Sequence, residues 1–161
     1  MWKSDGTSSG TALVSDLNRP PDGNGPLSYL TNVNGTIFFS AEHSLYGREL
    51  WKTDGTAAGT FLVKDICPGP NSSDPHNLTA FNGFLFFAAS DCVNGRELWM
   101  SDGTREGTNL VTDIYPGPAS SNPNYPVVVG DRLFFVADDG RHGADIWVIS
   151  LSRQHLPLLF R

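Results

Sequence analysis

Three Asp-Gly-Thr triplets, at Asp5, Asp54 and Asp102, combine a carboxylate with a hydroxyl and a glycine, a grouping that could begin a metal site or an acid–base pair. They recur with the same neighbours each time, and a simpler duty explains that. An Asp before Gly at a strand end accepts backbone N–H groups in a tight turn, and the Gly supplies a positive φ. A residue repeated in every unit of a chain belongs to the fold of the unit. The same reasoning covers Asp16, Asp65 and Asp113, and also Glu49, Glu97 and Asp145, whose pairing with Arg48 or Arg96 reads as an exposed contact worth little.

Residues that differ between units are better candidates for a site. In the variable loops these are Asp22, Asn24, His43, Tyr46, His76, Asp91, Asp139 and His142, read here as ligand-binding positions. Asp138-Asp139-Gly140 and Asp22-Gly23-Asn24-Gly25 are rich in oxygen, and Ca²⁺ takes about 6–8 oxygen ligands. Neither stretch completes the D-x-[DN]-x-[DN]-G loop, so Asp138 and Asp139 are weak calcium candidates beside a reading as solvated turns, and no other cofactor is indicated. The histidines lack the His-x-x-x-His or Cys spacing of a zinc site. Without a Gly-x-Ser-x-Gly elbow or a Gly-rich phosphate loop, no catalytic residue is assigned. Cys67 and Cys92 occupy positions where other units carry Asn18 or Tyr115 and Ser44 or Gly140; one disulfide or two unrelated free thiols fit equally, and a bond would suit an oxidising compartment.

The elements that position these residues follow from a repeat. Trp2, Trp51, Trp99 and Trp147 are spaced 49, 48 and 48 residues apart, and Gly47–Asn94 matches Gly95–His142 without a gap at 25 of 48 positions. The extra residue of the first unit falls in Asn18–Ser28, a loop, where insertion is cheapest. Within a unit, Leu78–Phe81 and Leu85–Ala89 flank Asn82-Gly83, a strong hairpin signal, and two further strands follow at Glu97–Met100 and Thr108–Ile114. Pro-, Ser- and Asn-rich stretches such as Tyr115–Asn124 suit connections rather than strands. The adjacent pairs Phe38-Phe39, Phe86-Phe87 and Phe134-Phe135 send one ring to each side of a sheet. Sheets apolar on both faces need cover on both.

These features predict an all-β chain of about three β-propeller blades, each of four antiparallel strands, in an incomplete propeller; a sandwich ranks second and a β-solenoid third. Residues 1–149 hold a partial blade (1–17), two full blades (29–66 and 77–114) and a partial blade (125–149), whereas 150–161 diverge and show no evident final strand. Trp51 and Trp99 are expected between blades. Alternation of strand direction places the crossing loops and the second-to-third strand loops at one end, the varied end, and the repeated turns at the other. The end blades would leave apolar faces open, which implies self-association through those faces or a longer ring.

Glu97-Leu98-Trp99-Met100-Ser101-Asp102-Gly103-Thr104, and Glu49–Thr56 before it, resemble the ELWxxDGT repeat family of large, mostly bacterial proteins. The resemblance runs from Trp2 to Trp147. It implies a secreted or surface location and carries no single activity. Eleven Lys and Arg against seventeen Asp and Glu give a net charge of −6 and a pI near 5.0, which disfavours nucleic acid and anionic membranes as partners. No apolar run approaches the ~20 residues of a membrane span, and Met1–Asp5 lack a signal-peptide pattern. The expected function is therefore a non-enzymatic extracellular module that binds protein or carbohydrate within a larger protein. The alternative is a propeller segment of an extracellular hydrolase or lyase whose catalytic residues lie outside this chain.

Overall fold

The computed structural model describes residues 1–16, 26–151 and 157–160, and every regular element among them is a strand. A two-stranded ribbon, β1 (Trp2–Lys3) and β2 (Ala12–Leu13), precedes three four-stranded antiparallel sheets. The first contains β3 (Ser28–Val33), β4 (Thr36–His43), β5 (Gly47–Thr53) and β6 (Phe61–Lys64). In the second are β7 (His76–Phe81), β8 (Phe84–Ser90), β9 (Arg96–Ser101) and β10 (Asn109–Thr112). The third comprises β11 (Asn124–Val129), β12 (Arg132–Asp138), β13 (Ala144–Leu151) and β14 (Pro157–Phe160). Strands pair in sequence order within each sheet. None of the described residues forms a helix long and apolar enough to cross a membrane.

Local chemistry sets the hairpins. Asn34-Gly35 and Asn82-Gly83 all have positive φ, the conformation a two-residue turn needs to match the twist of its strands. Each sheet's first strand also carries a register shift, between Ser28 and Thr31, His76 and Thr79, and Asn124 and Val127. The residues inside the shifts, Tyr29, Asn77 and Tyr125, take φ values of 60°, 56° and 53°, a bulge that the identities of the two tyrosines do not foretell.

The paired phenylalanines behave as alternation requires. Phe38 joins Val33, Leu50 and Val63 in a core shared with Leu85, Phe87 and Trp99 of the second sheet, whereas Phe39 turns to the other face with Ala41, Trp51 and Met1. Phe86 and Leu98 in turn meet Leu133, Phe135 and Ile149 of the third sheet, with Trp147 packed against them. Trp51 and Trp99 are buried, as expected. The sheets stack face to face, and their first strands lie side by side, β3 against β7 and β7 against β11.

The C-terminal segment corrects the expectation of a missing final strand. Pro157–Phe160 pairs with β13, with Leu159 opposite Ile149 and Phe160 opposite Val148. Leu159 packs into the core between the second and third sheets, as Leu110 does one interface earlier. Ladder hydrogen bonds use the backbone alone, and alternation needs only one apolar residue at the inward position, so a segment unlike any earlier unit still completes the sheet.

Candidate functional site

The repeated motifs prove to be joints. Asp54 Oδ1 accepts the Thr56 N–H at 2.8 Å and the Thr56 hydroxyl at 2.7 Å, and Thr56 Oγ1 in turn accepts the Gly59 N–H. Asp5 with Thr7 and Asp102 with Thr104 repeat the arrangement. The Thr56 bonds hold the exposed Asp54 carboxyl below its ordinary range, and Thr7 does the same for Asp5. These carboxylates are committed to turns.

Glu49 and Glu97 depart from the expected exposed contact with arginine: both are fully buried. Glu49 accepts N–H bonds from Ile66, Cys67 and Ser73 and a 2.6 Å bond from the Ser73 hydroxyl, clamping the crossing loop onto the sheet that the loop leaves. Glu97 receives Ile114 N–H, Ser121 N–H and the Ser121 hydroxyl in the same way. The Gly that opens each Gly-Arg-Glu is required by close approach, because a Cβ on Gly47 or Gly95 would collide with the carbonyl of Asn71 or Ala119. Burial pushes the Glu49 carboxyl up to about 7, against the pull of the Ser73 hydroxyl and the three N–H groups, and burial raises Glu97 as well. Arg48 instead donates to the Pro26 carbonyl at 3.0 Å and reaches Glu42 at 3.5 Å, while Arg96 stands 3.9 Å from Asp74.

At the varied end the crossing loop of one sheet meets the second-to-third strand loop of the next. Cys67 and Cys92 form a disulfide there, with Cα atoms 5.4 Å apart. One interface later the Tyr115 ring covers Gly140, where a Cβ would clash with it. Asp91 accepts the N–H groups of Val93 and Asn94 and the Asn94 amide; burial raises its carboxyl, but these bonds outweigh it and leave the group below its ordinary range. The Asp139 carboxyl is lowered chiefly by the His142 ring at 2.7 Å, then by the N–H groups of Arg141 and His142. Asp138 Oδ1 accepts the Gly140 N–H. Among the described residues no three His, Cys, Asp or Glu side chains gather at metal-holding distance. His43 packs against Tyr46 and Trp51, with ring centroids 5.1 and 5.8 Å apart. Asp22 and Asn24 lie outside the described residues.

Tyr46 lines one groove, together with Lys52 and Phe61, and His76 opens onto another. The walls of the His76 groove are Pro26, Ser28 and Tyr29 of the first unit, Ser40 and Arg48 of β4 and β5, and Asp74, Pro75 and His76 of the crossing, around a space of about 290 Å³. The His76 ring lies 6.3 Å from the half-exposed Tyr29 ring at 49°, and its Nδ1 meets the Asp74 carbonyl at 3.0 Å. Ser40 is fully buried, and its Oγ has no hydrogen-bond partner among the described residues. Tyr29 and Asp74 both sit at positive φ, which fixes them by backbone geometry unusual for such residues. Tyr29, Ser40, Arg48 and Asp74 were not among the expected ligand-binding positions. Two of them carried a signal: in β4 Ser40 stands where the later units have Ala88 and Val136, and in the crossing loop Asp74 stands where the next has Asn122.

No protein-family model, curated protein or solved structure matches this chain.

Proposed function

We propose that the chain is a run of β-propeller blades of the ELWxxDGT type, serving as a non-enzymatic extracellular binding module whose Tyr29–His76 groove takes a carbohydrate. The observation that carries this reading is the make-up of the groove: two rings set at an angle, a guanidinium, a carboxylate and a buried hydroxyl without a partner. A sugar presents apolar C–H faces to a ring and hydroxyls to charged and polar groups, so both parts of that lining have a counterpart. Ser40 has no base hydrogen-bonded to it, the arrangement on which a serine nucleophile depends, and this favours binding over hydrolysis. The disulfide supports an oxidising compartment. Face-to-face stacking of four-stranded sheets with their first strands side by side supports the blade reading.

An oligosaccharide array probed with the chain and with Tyr29→Asn tests the groove. Asn stands at this position in the second unit and tolerates a positive φ. The expected result is retention of a defined class of glycan, weakened roughly tenfold or more in the variant. Equal retention by both proteins, or none by either, overturns the carbohydrate reading and leaves a protein ligand.

A further inference from the structure

Between the first and second sheets a groove of about 510 Å³ opens along the outer strand β6, and both of its walls come from complete four-stranded sheets. Lys52, Phe61 and Lys64 line one side; Gly103, Thr104 and Arg105, in the turn after β9, line the other. Lys52 pairs with Phe38 and Phe61, and Lys64 with Leu50, so all three side chains belong to the face that carries Phe38 and Leu50 into the shared core.

The chain has a net charge of −6, yet three cations gather here. Lys52 Nζ donates to the Gly103 carbonyl at 2.7 Å and Lys64 Nζ to the Thr108 carbonyl, which holds the two ammoniums at the two ends of one turn with Arg105 between them in sequence. An ammonium has three N–H donors, so each lysine keeps two for another acceptor. Among the described residues none of the three cations pairs with a carboxylate. Asp65, the carboxylate on the walls, accepts the Gly69 N–H at 3.1 Å through Oδ2. Burial, and then the like charge of Arg105, holds the Lys64 ammonium below its ordinary range, with Glu106 pulling the other way. The cluster is also particular to this joint. Met100, Asn109 and Thr112 replace Lys52, Phe61 and Lys64 in the second unit, and the earlier turns have Ser8 and Ala57 in place of Arg105. A duty of the repeat itself would recur in each unit.

We infer that this groove binds a phosphate monoester of a small organic molecule, with the phosphoryl group among Lys52, Lys64 and Arg105 and the carbon part against the Phe61 ring. A phosphate monoester presents three terminal oxygens and a charge of about −1.5 to −2 at neutral pH, a match for three cations. A carboxylate brings two oxygens and one charge, and a sulfate ester three oxygens but one charge. Phe61 is 45% exposed, with Lys52 Nζ 4.9 Å from its ring centre, so apolar surface adjoins the charge. The volume suits a small molecule, and the negative chain as a whole repels a long polyanion. This site is separate from the Tyr29–His76 groove and does not depend on what that groove takes.

Amide NMR titration of the chain with phenyl phosphate, phenyl sulfate and benzoate, in phosphate-free buffer, decides the matter. Phenyl phosphate is expected to bind most tightly, with saturable shifts confined to β6 and the turn from Gly103 to Glu106. Arg105→Gln and Lys64→Gln should each weaken it at least about fivefold, the loss of one close charge. Lys3→Gln removes a lysine at the repeat position of Lys52 on the exposed ribbon and should leave binding unchanged, as should Tyr29→Asn in the other groove. Arg105 is exposed, so its variant keeps the test readable if Lys64→Gln fails to fold. Three results each overturn the inference: no saturation by phenyl phosphate below about 10 mM, phenyl sulfate or benzoate binding as tightly, or a loss in Lys3→Gln as large as in Arg105→Gln.

Discussion

The joint between the first and second sheets and the joint between the second and third are built on one plan and finished differently. In both, a buried glutamate clamps a crossing loop and a serine of that loop accepts from the following sheet: Ser90 donates its N–H to the Ser73 carbonyl, and Asp138 donates to Ser121. The first joint is then locked by the Cys67–Cys92 bond, and two lysines reach across it, Lys52 to the Gly103 carbonyl and Lys64 to the Thr108 carbonyl. The second relies on the Tyr115 ring seated over Gly140 and on the Asn77 amide, which donates to the Pro123 carbonyl and to Asn124 Oδ1. The clamp is therefore the shared device. The contact at the varied end is interchangeable, a covalent bond in one place and a ring on a glycine in the other.

Removing the clamps should have the largest effect. Glu49→Ala leaves three buried N–H groups and a hydroxyl without an acceptor, and a loss of about 4 kcal/mol is expected in chemical denaturation, with Glu97→Ala costing somewhat less. Equal, small losses at both sites would show that the loops are held by something else.

The clamps also set a pH dependence. With the Glu49 carboxyl raised to about 7 in the folded chain, the folded state keeps a proton that the unfolded chain releases near its ordinary value of 4.5. Its contribution to stability is complete below that ordinary value and is lost as pH rises through about 7, by up to about 1.4 kcal/mol per pH unit in the window between. Glu97 shifts in the same direction. Thermal unfolding from pH 4.5 to 7.5 should show a falling midpoint, with a shallower slope in Glu49→Gln; a rising midpoint there contradicts the assignment.

Next comes the difference between the joints themselves. Cys67→Ser with Cys92→Ser opens a loop defined by a sequence separation of 25 and should cost about 3 kcal/mol by denaturant titration. The converse exchange sharpens the comparison. Tyr115→Cys with Gly140→Cys should yield a second disulfide by mass spectrometry, because Cys92 already sits at φ 67° and Gly140 at 75°. Two free thiols in that protein would mean that the joints differ in geometry as well as in chemistry.

The smallest change is Gly140→Ala. Its Cβ meets the Tyr115 ring and its φ is unfavourable for alanine, so about 1–2 kcal/mol should be lost, and pairing it with Tyr115→Ala should recover the part due to collision. Full additivity of the two substitutions would remove the Tyr115 ring from the joint.

Much of the fold was legible because its signals are local. The Asn-Gly hairpins, the period of 48 and the alternating Phe pairs each depend on neighbours a few residues apart or on simple repetition. The loop candidates fared unevenly for the opposite reason. His76 could be singled out as an odd residue, but its meeting with Tyr29 and Ser40 depends on how two sheets stack. Glu49 looked like a surface residue because its partners, Ile66, Cys67 and Ser73, lie 17 to 24 residues away.

By itself, then, the sequence determined the all-β class, the strand positions within each unit and the turn duty of the Asp-Gly-Thr triplets, all matters of backbone preference and alternation over short spans. Tertiary structure alone decided that Glu49 and Glu97 are interior clamps, that Cys67 and Cys92 are bonded and that Pro157–Phe160 completes a sheet. Each of these turns on which distant backbone comes to lie within a hydrogen bond or a side chain's reach, and residue type does not encode that distance until the sheets have stacked.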